Sequence, residues 1–328
     1  AFCKPEQFEK YLPESKTPMR SEGALLMLAY PDRIARRRAN GTYRMVNGKG
    51  AYLDEGDPLL KHEYLVCCKL DDRVGDSKIQ LACPVTLDEI KSEYAGLVSR
   101  REICMWDDRT DRVKSYEQIT IGEMIIDEKP CKNGDPTNAF LDGIRRKGVQ
   151  KLPCWTKEAV RLRSRINFLW KFATDENIIS AMSGFVSGMT KWTDLETLDL
   201  TQVLKRLVAE NSHSLGELDQ LAPDRIVMPS GTRVQVHYEG DEPSCHVRLQ
   251  ECFGMKTAPV VNNGKTPVVM TLLSPAMRPC AVTKDLKNFW AESYSLVRKD
   301  LRGRYPKHYW PEDPLSALPT ARVKPKQK

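Results

Sequence analysis

The sequence predicts an α+β protein in three parts: a small β-barrel, a helical segment, and a C-terminal antiparallel β region that ends in a helix and a basic tail. Three observations predict it. Short strand-like runs crowd residues 41–126 with one helix among them. Four stretches between residues 139 and 209 carry apolar positions at helical spacing. Strand-like runs then return beyond Pro223.

The elements follow in order. Leu25, Leu26, Leu28 and Ala29 space a short helix that Pro31 interrupts or ends, because proline lacks an N–H and restricts Tyr30 before it. Residues 41–53 read as a hairpin with Asn47-Gly48 as the turn that supplies positive φ. Strands are expected at Tyr64–Lys69, Ile79–Cys83 and Ile119–Ile126, with a polar turn at Asp71–Asp76 and a helix at Val85–Tyr94 capped by Thr86. Several short strands with one helix among them are consistent with a barrel of the OB type, and the count leaves another β-barrel open.

Ala139–Lys147, Thr156–Phe172, Asn177–Gly184 and Leu198–Ala209 read as helices joined by short loops. Strands follow at Arg225–Met228, Thr232–Tyr238, His246–Leu249 and Val268–Leu273. Lys284–Leu301 forms a final amphipathic helix, with Gly303 as its expected stop.

The chain of 328 residues is 41% hydrophobic, enough to bury cores in two or three domains. It begins at Ala1 in a polar stretch and is expected to be a piece of something longer. The net charge of +7 suggests a polyanionic partner, and its distribution is uneven. Arg33, Arg36, Arg37 and Arg38 form one cluster, Arg161, Arg163 and Arg165 another, and residues 298–328 a third. Nucleic acid is favoured over a membrane, since the longest apolar run, Val268–Leu273, is far too short to span a bilayer. Ten cysteines are scattered without a CxxC pair, which fits neither a zinc site nor a disulfide framework and points to a reducing cytoplasm.

Catalytic chemistry is harder to find. Asn263-Gly264-Lys265-Thr266 approaches a phosphate loop, yet Pro259 stands where the first glycine belongs and Pro267 follows at once, so a hairpin turn is expected. Cys245, His246 and Cys252 match no zinc spacing, and residues 245 and 246 face opposite sides of a strand. Ser230 lacks the surroundings of a nucleophile elbow. The run Val247–Gly254 reads either as a loop facing a ligand or as a strand end held by an Arg248–Glu251 ion pair. Neither catalytic nor metal-binding residues are assigned.

What remains is binding chemistry. Arg36–Arg38 adjoin the barrel, a fold whose grooves hold single strands, although such clusters are also solvated faces. The stretch Leu301–Pro314 combines Arg302, Arg304 and Lys307 with Tyr305, Tyr309, Trp310 and three prolines. It reads as a surface for phosphates and bases, or as a strap whose aromatic rings pack on the body.

Tyr30–Arg38 followed by Asn47–Ala51 resembles the join between the helical and OB-like regions of HrpB-type bacterial DEAH-box helicases. Pro229–Arg233, Val247–Gly254, Leu273–Pro279 and above all Gly303–Pro314 resemble that family's C-terminal signatures in the same order. The resemblance implies the non-motor C-terminal part of an ATP-dependent RNA or DNA helicase. Residues 1–30 would be the remnant of a preceding helical domain, 31–134 an OB-like barrel, 135–221 a helical segment, 222–304 a β-rich domain with its final helix, and 305–328 a Pro/basic tail. Its partners would be single-stranded RNA or DNA and the missing RecA-like, winged-helix and helical domains, with ATP and Mg held in the motor domains. The expected nucleic-acid contacts are Arg33, Arg36, Arg37, Arg38, Arg44, Lys49, Arg302, Arg304 and Lys307, with the tail's aromatic residues read mainly as anchors. The alternative is a structural or protein-interaction module that docks the motor domains or a partner without touching nucleic acid.

Overall fold

The computed structural model describes residues 20–71 and 75–323. Most of the expected 1–30 remnant, part of the Asp71–Asp76 turn and the last five residues of the tail lie outside these. The chain divides into two compact units: one of residues up to 105 together with 114–135, and one of residues 106–113 together with 136 onward.

The first unit opens with helix α1 (Glu22–Ala29), whose Ser21 side chain accepts from the Ala24 N–H as an N-cap. Strands β1 (Ile34–Arg37), β2 (Tyr43–Met45), β3 (Gly50–Tyr52), β4 (Tyr64–Leu70) and β5 (Ser77–Val85) close into a barrel of order β1-β2-β3-β5-β4. The β3–β5 contact is parallel, and the other pairs are antiparallel. Asn47-Gly48 makes the β2–β3 turn as its composition requires, with Gly48 at φ 84°.

Adjacent apolar residues in β1 and β4 explain how both faces are used. Ala35, Leu65 and Cys67 join Tyr43, Met45, Ala51 and Ile79 in one buried cluster. Their neighbours Ile34, Tyr64 and Val66 join a second cluster with Ala24 and Met27 of α1. The helix sits tight against β5: a Cβ on Gly23 would lie 2.4 Å from the Pro84 carbonyl oxygen.

Helix α2 (Leu87–Glu93) starts at a capping box made by Thr86 and Glu89. Beyond it β6 (Val98–Asp107), β7 (Arg112–Ile121) and β8 (Met124–Pro130) form a separate three-stranded sheet. The strand expected over Ile119–Ile126 is therefore two strands, reversed at Gly122 and Glu123, with Gly122 at φ 53°. Ile121, Met124 and Ile126 carry this turn into the second cluster.

In the second unit α3 (Thr137–Lys147), α4 (Lys157–Leu169), α5 (Asp175–Met182), α6 (Leu200–Glu210) and α7 (Leu215–Leu221) form the helical part. The hairpin tip that belongs to this unit places Trp106 against Gly143, where a Cβ would stand 2.2 Å from the ring, and edge-on to Phe140 at 5.8 Å.

Strands β9 (Arg225–Val227), β10 (Arg233–His237), β11 (Ser244–Arg248), β14 (Val269–Leu273) and β15 (Pro279–Thr283) make a sheet of order β15-β14-β11-β10-β9. Between β11 and β14 lies the small hairpin β12 (Val260–Val261) and β13 (Thr266–Pro267). The expected antiparallel region is in fact mixed, because β11 and β14 pair in parallel. The intervening 20 residues are long enough to serve as a crossover.

The last helix is also more articulated than expected. It runs as α8 (Leu286–Asn288), a π-helical turn over Phe289–Ser293, and α9 (Tyr294–Arg304). Gly303 does not stop it; the helix passes through and ends at Tyr305, whose backbone is held away from the helical region by Pro306.

Candidate nucleic-acid interface

The arginine cluster of the first unit lines a groove of about 580 Å3 together with Arg44, Arg101 and the reversal at Glu123–Ile125. Strand pairing builds it. Arg36 and Arg44 are direct partners in the antiparallel β1–β2 register, a like-charge pairing that disfavours the ladder unless anions offset it. One offset is internal: Arg36 Nε lies 3.0 Å from Glu63 Oε1, and its Nη1 donates to the Ile125 carbonyl at 2.8 Å. The reversal is fixed by the Glu123 N–H, which donates to the Val46 carbonyl at 3.0 Å.

Arg37, Arg38 and Arg44 have no carboxylate within 4 Å among the described residues, and Arg37 and Arg44 are exposed. Arg101 is held from the side, its Nε donating to Gln118 Oε1 at 3.0 Å, while Gln118 in turn donates to Glu128 at 2.6 Å. The groove thus presents five guanidinium groups against one lining carboxylate, Glu123, and its lining contains no aromatic ring. Guanidinium forks without aromatic rings are chemistry suited to anions.

Not every expected residue joins it. Arg33 donates to the Cys68 carbonyl at 3.2 Å and lies over the Tyr30 ring at 5.3 Å, both contacts that tie down the β1 entrance. Lys49 is exposed on the β2–β3 turn and does not line the groove. Arg302, Arg304 and Lys307 belong to the second unit. Arg304 pairs with Asp300 at 3.1 Å one helical turn back, while Arg302 and Lys307 are exposed. Arg101 was missed by the sequence reading; its signal was the charged stretch Arg100–Glu102 between apolar Val98 and Ile103.

The Arg161, Arg163 and Arg165 cluster is taken up inside the fold. Arg161 pairs with Asp224 at 3.2 Å and Arg163 with Asp175 at 2.6 Å. Arg165 is buried, donating to the Ala222 carbonyl at 2.6 Å and pairing with Asp219.

The C-terminal stretch is a strap. Trp310 is buried and its Nε1 donates to the Tyr305 carbonyl at 2.9 Å. Tyr294 donates to the Pro311 carbonyl at 2.8 Å, and Arg298 holds both the Trp310 carbonyl and Glu312. Gln250 donates to the Tyr309 carbonyl at 2.9 Å, and its own carbonyl accepts from Thr320. The run Val247–Gly254 therefore holds the strap. Its expected Arg248–Glu251 ion pair does not form: Glu251 accepts from Ser230 Oγ at 2.9 Å, and Arg248 donates to the Ala321 carbonyl.

The near phosphate loop is a hairpin turn, with Asn262, Asn263 and Gly264 all at positive φ between β12 and β13. Among the described residues no group of three or more His, Cys, Asp or Glu could hold a metal ion. Burial pushes the Cys67 thiol up to about 12 and those of Cys245 and Cys280 up to about 11, which keeps them protonated and poorly nucleophilic. No helix is long and apolar enough to cross a membrane among the described residues.

Residues 182–314 match the family described as ATP-dependent helicase C-terminal, HrpB_C. The chain is similar to the ATP-dependent RNA helicase HrpB of Escherichia coli K12, 36% identical in an alignment of 319 residues covering 92% of this chain and 39% of that protein. Two crystal structures are also similar. That of the E. coli DExH-box NTPase HrpB has a TM-score of 0.61 at 36% identity, over 92% of this chain and 39% of the other. That of the E. coli DEAH/RHA helicase HrpB has a TM-score of 0.52 at 32% identity, over 88% and 38%. The chain spans about two fifths of the length of these relatives.

Proposed function

Since the chain belongs to the HrpB-type family and corresponds to its C-terminal region, we propose that it is the non-motor part of an ATP-dependent RNA or DNA helicase whose barrel guides a single strand. The carrying observation is the groove with five arginines, four of which (Arg37, Arg38, Arg44 and Arg101) have no carboxylate partner among the described residues. The barrel is of the OB type in this reading, supported by its closed order and its parallel β3–β5 contact. The strand runs past Arg37, Arg38 and Arg44, with Arg36 and Arg101 completing the wall. ATP and Mg2+ belong to motor domains beyond this chain, and the protein works in the cytoplasm.

The test is binding of a labelled single-stranded RNA and DNA to the full chain across a salt series. Affinity should fall steeply with salt if several phosphates are contacted. No binding even at low salt would remove the reading.

A second reading is favoured by α1, whose Leu25 and Leu28 are 55% and 48% exposed one turn apart. That face suits docking against another part of the longer protein. Charged substitutions there would weaken the association of the chain with its separately produced N-terminal region and leave strand binding intact.

A further inference from the structure

We propose that the second unit carries a site for a phosphate monoester in the cleft where the Arg248–Glu251 turn meets the C-terminal strap. The cleft holds about 360 Å3 and is lined by Arg248, Gln250, His308 and Arg322 among others. Its lining includes two guanidinium groups and an imidazole and no carboxylate.

The charges there are uncompensated by the fold. Arg248 and Arg322 have no carboxylate within 4 Å among the described residues. Arg248 spends Nη1 on the Ala321 carbonyl, and its Nε is buried without an acceptor among the described residues. A buried donor of a charged group is nearly always matched in a native protein, so this one points to an anion. Glu251, the nearest acid along the chain, is turned to Ser230.

The hydrogen-bond network also fixes the histidine. Gln250 Nε2 donates to the Tyr309 carbonyl, so its Oε1 is the acceptor for His308 Nδ1–H at 3.1 Å. In the neutral ring Nε2 is then an acceptor, so the anion is held by the two guanidinium groups while His308 closes the side of the cleft. Two fixed positive charges match a group bearing close to two negative ones. A phosphate monoester has that charge near neutral pH, whereas a backbone phosphodiester or a carboxylate has one. Either the terminal phosphate of a strand or a free phosphate supplies this chemistry. The site is separate from the barrel groove and does not depend on that reading.

The experiment is a titration of the full chain with inorganic phosphate at constant ionic strength, read by calorimetry. Saturable binding is expected, weakened about tenfold or more by Arg322→Ala and by Arg248→Lys, which keeps the charge and loses the fork. Arg322 is exposed and makes no side-chain hydrogen bond or ion pair among the described residues, so its variant separates loss of the site from loss of folding. The Arg37→Ala, Arg44→Ala double variant should bind phosphate unchanged. In that background, tighter binding of a 5′-phosphorylated than of a 5′-hydroxyl oligonucleotide, lost in Arg322→Ala, assigns the site to strand ends. Equal binding of the two assigns it to free phosphate. Heats no different from those of matched chloride, or equal phosphate affinity in Arg322→Ala and wild type, would overturn the proposal.

Discussion

Arg36 donates through Nη1 to the carbonyl oxygen of Ile125 at 2.8 Å, which commits the middle of the first arginine cluster to joining β1 with the start of β8. Its partner Glu63 is more than half exposed, so that ion pair adds little by itself. Arg36→Ala should cost about 1.5–3 kcal/mol, the usual scale for a hydrogen bond from a charged group. A denaturant midpoint unchanged from wild type would show that the groove wall does not rest on this bond.

Arg37 and Arg44 have the opposite profile, exposed and without carboxylate partners among the described residues. Replacing both with Ala should leave the thermal midpoint within a degree or two of wild type, as for surface positions generally. Strand affinity should fall at low salt, and the slope of log K against log salt should shrink by about 1.4 if each contacts one phosphate of a single strand. An unchanged slope would place the strand elsewhere.

The strap makes a third expectation. Trp310 is 8% exposed and sits under the carbonyl contacts made by Tyr294, Arg298 and Gln250. Trp310→Ala should destabilise the second unit by about 3–5 kcal/mol. Gln250→Leu, which removes donor and acceptor together, should instead loosen the strap locally. Hydrogen exchange would show this as faster amide exchange at Tyr309 and Thr320, whose N–H groups are bonded to Val323 and Gln250. Binding of a 5′-hydroxyl strand should be unaffected by either change.

Much of this arrangement was legible in local signals. Asn47-Gly48, the Thr86 cap and the apolar run of β4 each specify their element through short-range chemistry, and the structure follows them, whereas β1, with two arginines in its four residues, was not foreseen as a strand. Where pairing is long-range, the sequence was mute. Nothing in β11 marks it as a parallel partner of β14, and nothing near Arg101 shows that Gln118, seventeen residues on, holds its side chain beside the groove. Local chemistry also misled once. Gly303 reads as a helix stop by composition, but the interaction that ends α9 comes from Pro306 acting on Tyr305. The Asp300 partner of Arg304 likewise becomes apparent only once the two residues share a helix face.

Alkaline pH should unfold the barrel through its buried acids. Burial pushes the Cys67 thiol from its ordinary value of 9.0 to about 12, outweighing the opposing pull of Arg33. Burial likewise pushes the Tyr64 phenol from 10.0 to about 12 against the pull of Arg36. In both cases the folded protein keeps a proton that the unfolded chain releases first. Their contribution to stability is therefore complete below about pH 9 and is lost as pH rises toward 12. Thermal melts between pH 8 and 11.5 should show a midpoint that falls progressively above pH 9. Cys67→Ala lowers the starting midpoint by opening a small cavity, yet its decline with pH should be shallower because one of the two groups is gone. A decline as steep as that of wild type would mean that the thiol titrates freely in the native barrel.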